Sequence, residues 1–430
     1  IVSKVLSLSH EKQIKLDIFD DNNSHVKYVD FLVTSVSSME KPLVIASYVK
    51  LLSESITYFQ NSIFKIILPL TTSITKCVEK LFEKEKTEGG NYQSVSLLIN
   101  GLEELLEVSQ TYLSADEGNG YLSSTSSRND FLQNMVSNVF FNESGVNDSK
   151  VQSERHVILE SLKRVVYCCF DIWVWAHKHS NIKETDSELC TVGEQNFQES
   201  LHHQAYKYKF KSKKLLEKLF TLKPLEVLED LVERHASNLT ITLVHVLDGN
   251  RPVLTLPYMF QSIISRCNRN SSTIFSTMSH LKRIPEPSPV NKLDVNSIMT
   301  FIIEYISTLE KAAMEDFYND FMLFIREVSN NHQAYDSIST SVLKMTAIFS
   351  EKIDGTKFGE QKRVRRDISD VFHKYLPNAL DSDIESNVDA VKIFQDLEFV
   401  SSKLRYIISE VLFSDKFNNC VSIIVTHAIT

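Results

Sequence analysis

Apolar residues recur at three- and four-residue steps along most of this chain, the spacing that places them on one side of an α-helix. Ile63, Ile66, Ile67, Leu70, Ile74, Cys77, Val78 and Leu81 form one such stripe. Pro69 lies inside it and should kink or split the helix, because it lacks an amide hydrogen and crowds the preceding turn. Thr87-Glu-Gly-Gly-Asn91 interrupts the pattern. Val95, Leu98, Ile99, Leu102, Leu105 and Leu106 restart it, with Glu103, Glu104 and Glu107 on the wet side. Residues 114–130 are small and polar and read as a loop. A second polar stretch, Asn142–Ser153, leads to a helix predicted over 154–177, on Ile158, Leu162, Val165, Cys169, Ile172 and Ala176. Residues 180–196 read as a further surface loop, followed by a basic helix over 198–221.

Pro224 stands where the first turn of a helix tolerates proline. The helix from Asn238 to Leu247 should stop at Asp248-Gly249-Asn250-Arg251-Pro252, a structural turn. Gly249 suits the left-handed position after a helix end, and Pro252 blocks continuation. Pro257 is expected to open the next helix. Leu281–Asp294 carries Pro285, Pro287 and Pro289 and reads as a linker. Helices follow over 295–310, 312–330, 335–353, 358–376 and 385–413, the last with a wide apolar face running from Val388 to Leu412.

The pattern predicts an all-α chain, an α-solenoid of HEAT/armadillo-like helical pairs repeating about every 40 residues. It suggests an N-terminal helical array over 1–150, a central helical region over 151–280, the linker at 281–294, and a C-terminal helical region over 295–430.

Composition sharpens this. Only 10 of 430 residues are Gly and 9 are Pro, too few for the tight turns of sandwiches and barrels or the Gly-rich first turn of a dinucleotide fold. The net charge of −9 argues against nucleic acid as a partner, since counterion displacement needs a basic surface. No apolar run approaches the roughly 20 residues of a membrane-spanning helix. Six scattered cysteines fit free thiols in a reducing compartment.

Chemistry is sparse. No phosphate-cradling Gly loop, nucleophile elbow, H-E-x-x-H or C-x-x-C is present. His177, His179, His202 and His203 could ligate a metal, but solvent-facing residues around a polar loop are the simpler reading. Cys168-Cys169 could be a redox pair, but two small apolar residues on a buried helix suffice. Asp381, Asp383 and Glu385 could hold a cation, but acids also favour a helix start. No catalytic residue, metal or cofactor is therefore expected. Two basic sets stand out. Lys207, Lys211, Lys214 and Lys218 share a helix face, and Lys362, Arg363, Arg365 and Arg366 form a second cluster. Either could hold anionic lipid headgroups or an acidic partner, or be an ordinary solvated face.

Several strings carry a family likeness. They are Phe170-Asp-Ile-Trp-Val-Trp175, Lys213-Lys-Leu-Leu-Glu-Lys-Leu-Phe220, Lys223-Pro-Leu-Glu-Val-Leu-Glu-Asp-Leu-Val232, His245-Val-Leu-Asp-Gly-Asn-Arg-Pro252, Phe301-Ile-Ile-Glu-Tyr-Ile-Ser-Thr-Leu-Glu310 and Phe349-Ser-Glu-Lys-Ile-Asp-Gly-Thr-Lys-Phe-Gly-Glu-Gln-Lys-Arg363. With them the chain resembles the Dopey family, as the carboxy-terminal portion of a fungal-type member. The resemblance implies a non-enzymatic, peripheral scaffold on the cytoplasmic face of Golgi (trans-Golgi network) and endosome membranes. It also implies partnership with a large Arf-exchange-factor-like scaffold protein and a P-type ATPase phospholipid flippase, and phosphoinositide contact. A competing expectation is an oligomerisation module of a larger scaffold, a homo-oligomer without direct lipid contact.

Overall fold

The computed structural model describes residues 22–59, 63–88, 90–119, 147–180, 192–234, 238–268 and 290–381, with Lys12 and a few positions between 395 and 403. Every regular element among them is helical. The chain separates into two compact units, Ile1–Leu219 and Phe220–Thr430.

In the first unit the helices are α1 Asn22–Val36, α2 Pro42–Phe59, α3 Ile63–Glu88, α4 Tyr92–Asn119, α5 Asn147–Ser180 and α6 Val192–Leu222. Each packs on the helix two places later: α1 on α3, α2 on α4, α3 on α5. Side-chain bonds from Lys211 to Asn100 and from Lys218 to Glu103 extend the second row from α4 to α6. Two rows result, α1–α3–α5 and α2–α4–α6, with the buried stripes between them. All eight members of the stripe that starts at Ile63 are buried. Pro69 is contained within an unbroken α3, because the flanking Ile67 and Leu70 are fully buried and hold the turn. The break at Thr87–Asn91 is closed by the Asn91 amide, which donates to the Glu85 carboxylate, and by Gly90 at φ +88°.

The second unit holds α7 Pro224–Arg234, α8 Asn238–Asp248, α9 Pro252–Cys267, α10 Val295–Thr308, α11 Ala313–Asp316, α12 Tyr318–Asn330, a 3₁₀ turn His332–Ile338, α13 Ser339–Ile353 and α14 Lys362–Asp381. Its contacts repeat the scheme, with α7–α9–α12–α14 in one row and α8–α10–α13 in the other. Each unit is thus a two-layered stack of helix pairs, as in an α-solenoid.

Several sequence expectations are corrected. The helix predicted from 154 begins at Asn147, inside the polar stretch that precedes it, and α6 begins at Val192, inside the stretch 180–196 read as a surface loop. Lys, Gln and Glu propagate a helix almost as well as Leu, so polar turns lack the apolar signal without lacking the helix. Likewise α4 runs on to Asn119. Pro257 lies inside α9 and does not open it; Pro252 occupies the first turn. The helix passes Pro257 because Leu256, Met259, Phe260, Ile263 and Ile264 are all fully buried. The expected 312–330 helix is broken at Phe317, whose φ −105°, ψ 4° re-aims the chain. Most of the Pro-rich segment and of 385–413 lies outside the described residues.

Candidate docking surfaces

Helix α6 is amphipathic in an unusual way. Ala205, Tyr208, Ser212, Leu215, Leu216 and Leu219 form its buried side. Tyr208 enters a cluster of rings, edge-on to Tyr92 at 5.1 Å, to Phe82 at 5.2 Å and to Trp175 at 6.3 Å. These offset geometries suit the ring quadrupoles and fix how α6 sits on α3, α4 and α5. Burial pushes the Tyr208 hydroxyl well above its ordinary pKa, with the nearby Glu85 adding to it.

The four lysines at 207, 211, 214 and 218 divide in two. Lys211 is half-buried and donates to Asn100 of α4, and its partial burial lowers its pKa. Lys218 donates to Glu103 at 2.8 Å and to Glu107 at 2.7 Å, and these bonds raise its pKa. Both serve as ties between helices. Lys207 and Lys214 are exposed, the former with its ammonium 5.7 Å from the Tyr92 ring. Beside them Tyr206 is 61% exposed and Phe210 62%. Sequence reading passed over these two aromatics. The signal was present: at 100° per residue, Tyr206 and Phe210 are each about 200° from Tyr208, so one buried ring puts the other two outside.

The second basic set opens α14. Val364, Ile368, Val371, Phe372 and Tyr375 are its buried stripe, and Lys362, Arg363, Arg365 and Arg366 are exposed. Cations at a helix N-terminus face the positive end of its dipole. Two acceptors offset this: Asp367, 3.7 Å from Arg363, and the Gly359 carbonyl, to which Arg365 donates at 3.1 Å. Asp367 also accepts from Tyr318 at 2.9 Å.

The turn at Asp248–Pro252 is a structural junction. Gly249 has φ +65° and Asn250 φ +58°. Asp248 is fully buried. One of its carboxylate oxygens accepts the Asn250 amide at 2.8 Å; the other accepts the Thr255 hydroxyl at 2.8 Å and the Tyr305 hydroxyl. The Arg251 guanidinium donates to the Asp248 carbonyl at 3.2 Å, and Pro252 then begins α9. His245 stacks on Tyr305 at 4.6 Å and pairs through Nε2 with Thr308 at 2.7 Å; burial lowers its pKa, opposed by Asp248. This carboxylate accepts three hydrogen bonds from two sides and so joins α8, α9 and α10.

Residues matched to known proteins extend across the whole chain. A family model described as DOP1 C-terminal covers residues 301–430. Protein DOP1 of Saccharomyces cerevisiae is 50% identical over 436 residues, covering 100% of this chain and 25% of that protein. The chain belongs to the Dopey family. The Dopey relative of Emericella nidulans, Protein dop1, is 26% identical over 366 residues, covering 81% of this chain and 19% of its own length. The chain therefore spans about a quarter or less of the length of these fungal Dopey proteins. No solved structure matches.

The remaining candidates have structural environments. In this Dopey chain His177 stacks on Trp173 at 4.7 Å and His179 on Trp175 at 4.5 Å. His202 pairs with the Ser180 carbonyl at 2.9 Å. Among the described residues no three His, Cys, Asp or Glu side chains are placed to hold a metal. Cys168 and Cys169 are buried, and desolvation raises both thiols, Cys169 to about 12. Asp381, Asp383 and Glu385 lie outside the residues whose side chains are described. No described helix is long and apolar enough to cross a membrane.

Proposed function

We propose that this chain is a non-enzymatic docking scaffold of Golgi and endosome membrane traffic. It works on the cytoplasmic face of those membranes and joins a large Arf-exchange-factor-like scaffold to a P-type phospholipid flippase. Family membership supports the membrane-traffic setting of this reading. The observation that carries the physical part is a division of charge. The buried acids Asp248, Glu229 and Glu327 are occupied at helix junctions, while Lys207, Lys214, Lys362 and Arg366 project from the stacks. Such a molecule offers outward surface with local positive charge on a chain of net −9.

Crosslinking mass spectrometry of the full-length protein in native membranes tests the reading. Lysine crosslinks from Lys207, Lys214 or Lys362 to the exchange-factor-like scaffold or to the flippase are expected. A native assembly that contains neither partner would remove the proposal.

A further inference from the structure

The outward face of α6 combines exposed aromatic rings with exposed lysines. Tyr206 and Phe210 lie one turn apart and are 61% and 62% exposed. Lys207 and Lys214 are exposed along one side of the rings, Lys207 with its ammonium 5.7 Å from the Tyr92 ring. Between Glu199 and Glu217 the sequence has no acid and five lysines, and Glu217 is itself paired with Lys213 at 3.2 Å. The patch is basic within an acidic chain.

We infer that this face is a membrane-interfacial contact. Tyr206 and Phe210 enter the boundary between headgroups and acyl chains of an anionic bilayer, and Lys207 and Lys214 meet the lipid phosphates. This rests on the reading above that the protein works at a membrane surface. Amphipathic rings at headgroup depth with lysines beside them are the ordinary chemistry of interfacial helices. An anionic leaflet supplies the complementary charge, with a favourable contribution from each lysine near the surface. Area argues against a protein occupant. Two aromatic side chains of roughly 150–250 Å² each, already partly covered, offer far less than the roughly 800 Å² per partner of a stable protein interface. A fluid bilayer needs no matching socket. The contact is read by charge density, because the lysines project from the outer surface of one helix, each to its own phosphate.

Vesicle flotation of the full-length protein tests this, with vesicles of phosphatidylcholine alone, of phosphatidylcholine with phosphatidylserine, and with a phosphatidylinositol phosphate at matched surface charge. Wild type should float with both anionic vesicles to a similar extent and not with the neutral ones. Tyr206→Ser with Phe210→Ser should lower bound protein about tenfold, and Lys207→Glu with Lys214→Glu at least as much. Lys362→Glu with Arg366→Glu should leave flotation as in wild type. All these positions are exposed, so unchanged circular dichroism and melting are expected and are checked alongside. Retained flotation of the double serine variant would overturn the inference while leaving the scaffold reading intact. So would flotation only with the phosphatidylinositol phosphate, which would indicate a headgroup-specific site. Loss of a crosslinked protein partner with normal flotation would make this a protein face and also overturn it. If wild type floats with no vesicle, direct lipid contact is wrong, and the scaffold reading is then judged by the crosslinks alone.

Discussion

The two units are built on one plan, both pack aromatic rings, and they differ in where most of their charge sits. In the first, the seam between α6 and its neighbours is aromatic: Tyr208, Tyr92, Phe82 and Trp175 meet edge to face. Most of its charge enters at the rim, where Lys218 reaches Glu103 and Glu107 and where Lys80 and Lys84 each reach Glu40 at 3.2 Å, although Glu85 is a buried acid there and accepts the Asn91 amide. In the second, charge is in the interior. Glu229 is fully buried, paired with Arg266 at 3.1 Å and hydrogen-bonded by Ser262 at 2.5 Å. Glu327 is buried and accepts from Asn268, Asn331 and Tyr335. Asp248 does the same for its turn. A carboxylate taken out of water is tolerable only where several donors replace the water, so these junctions fix geometry closely. The aromatic seam is less demanding, and it leaves Lys207 and Lys214 pointing outward.

The sharpest way to break the comparison is to orphan an interior charge. Arg266→Met should cost about 3–5 kcal/mol, because Glu229 stays buried without its cation. Hydrogen exchange measured by mass spectrometry should rise across α7 and α9. An exchange pattern identical to wild type would mean that the pair carries no stability. In the first unit the counterpart is Tyr208→Ala, expected to cost about 3 kcal/mol through the lost rings and the cavity. Both tryptophans, Trp173 and Trp175, belong to that unit, so its unfolding is followed by their fluorescence. An unmoved fluorescence midpoint would show that the ring cluster is not what holds α6.

Much of this plan was legible in the sequence, and the parts that were not have physical reasons. The stripes at Ile63–Leu81 and Val95–Leu106 announced buried faces, and Gly249 announced the left-handed end of α8. The first turns of α5 and α6 were not legible, since a polar helical turn and a polar loop share a composition. Pro257 misled because a helix start is its ordinary place, and only the burial around it keeps α9 continuous. The basic face of α6 was half legible. Four lysines in register mark a helix side, but nothing in the one-dimensional pattern says that Lys211 and Lys218 bend back to α4. The buried carboxylates were invisible, since Glu229 and Glu327 look like any helical acid until the donors from distant helices are placed around them.

Gly249→Val sharpens the contrast on a smaller scale. A Cβ at that position would meet nothing nearer than the Arg251 guanidinium at 3.7 Å, so space is available and the cost is the left-handed backbone alone. That is about 1–2 kcal/mol. The melting temperature should fall, with faster exchange confined to the junction of α8 and α9. An unshifted melting temperature would show that the Asp248 network can hold the turn in another conformation.

The smallest effect belongs to the rim. Lys218→Ala should cost about 0.5–1 kcal/mol, as an exposed ion pair does, and the difference from wild type should shrink with added salt. Its pH dependence has a definite sign. The Lys218 pKa is raised above its ordinary 10.5 in the folded protein by Glu103 and Glu107. The stabilisation is therefore fully present below that value and is lost as pH rises through the folded-state value. Wild type and Lys218→Ala should converge in alkali and differ at neutral pH. A difference that persists unchanged in strong alkali and high salt would mean that Lys218 acts through its aliphatic stem, packed against α4, and the rim of the first unit would then be apolar like its seam.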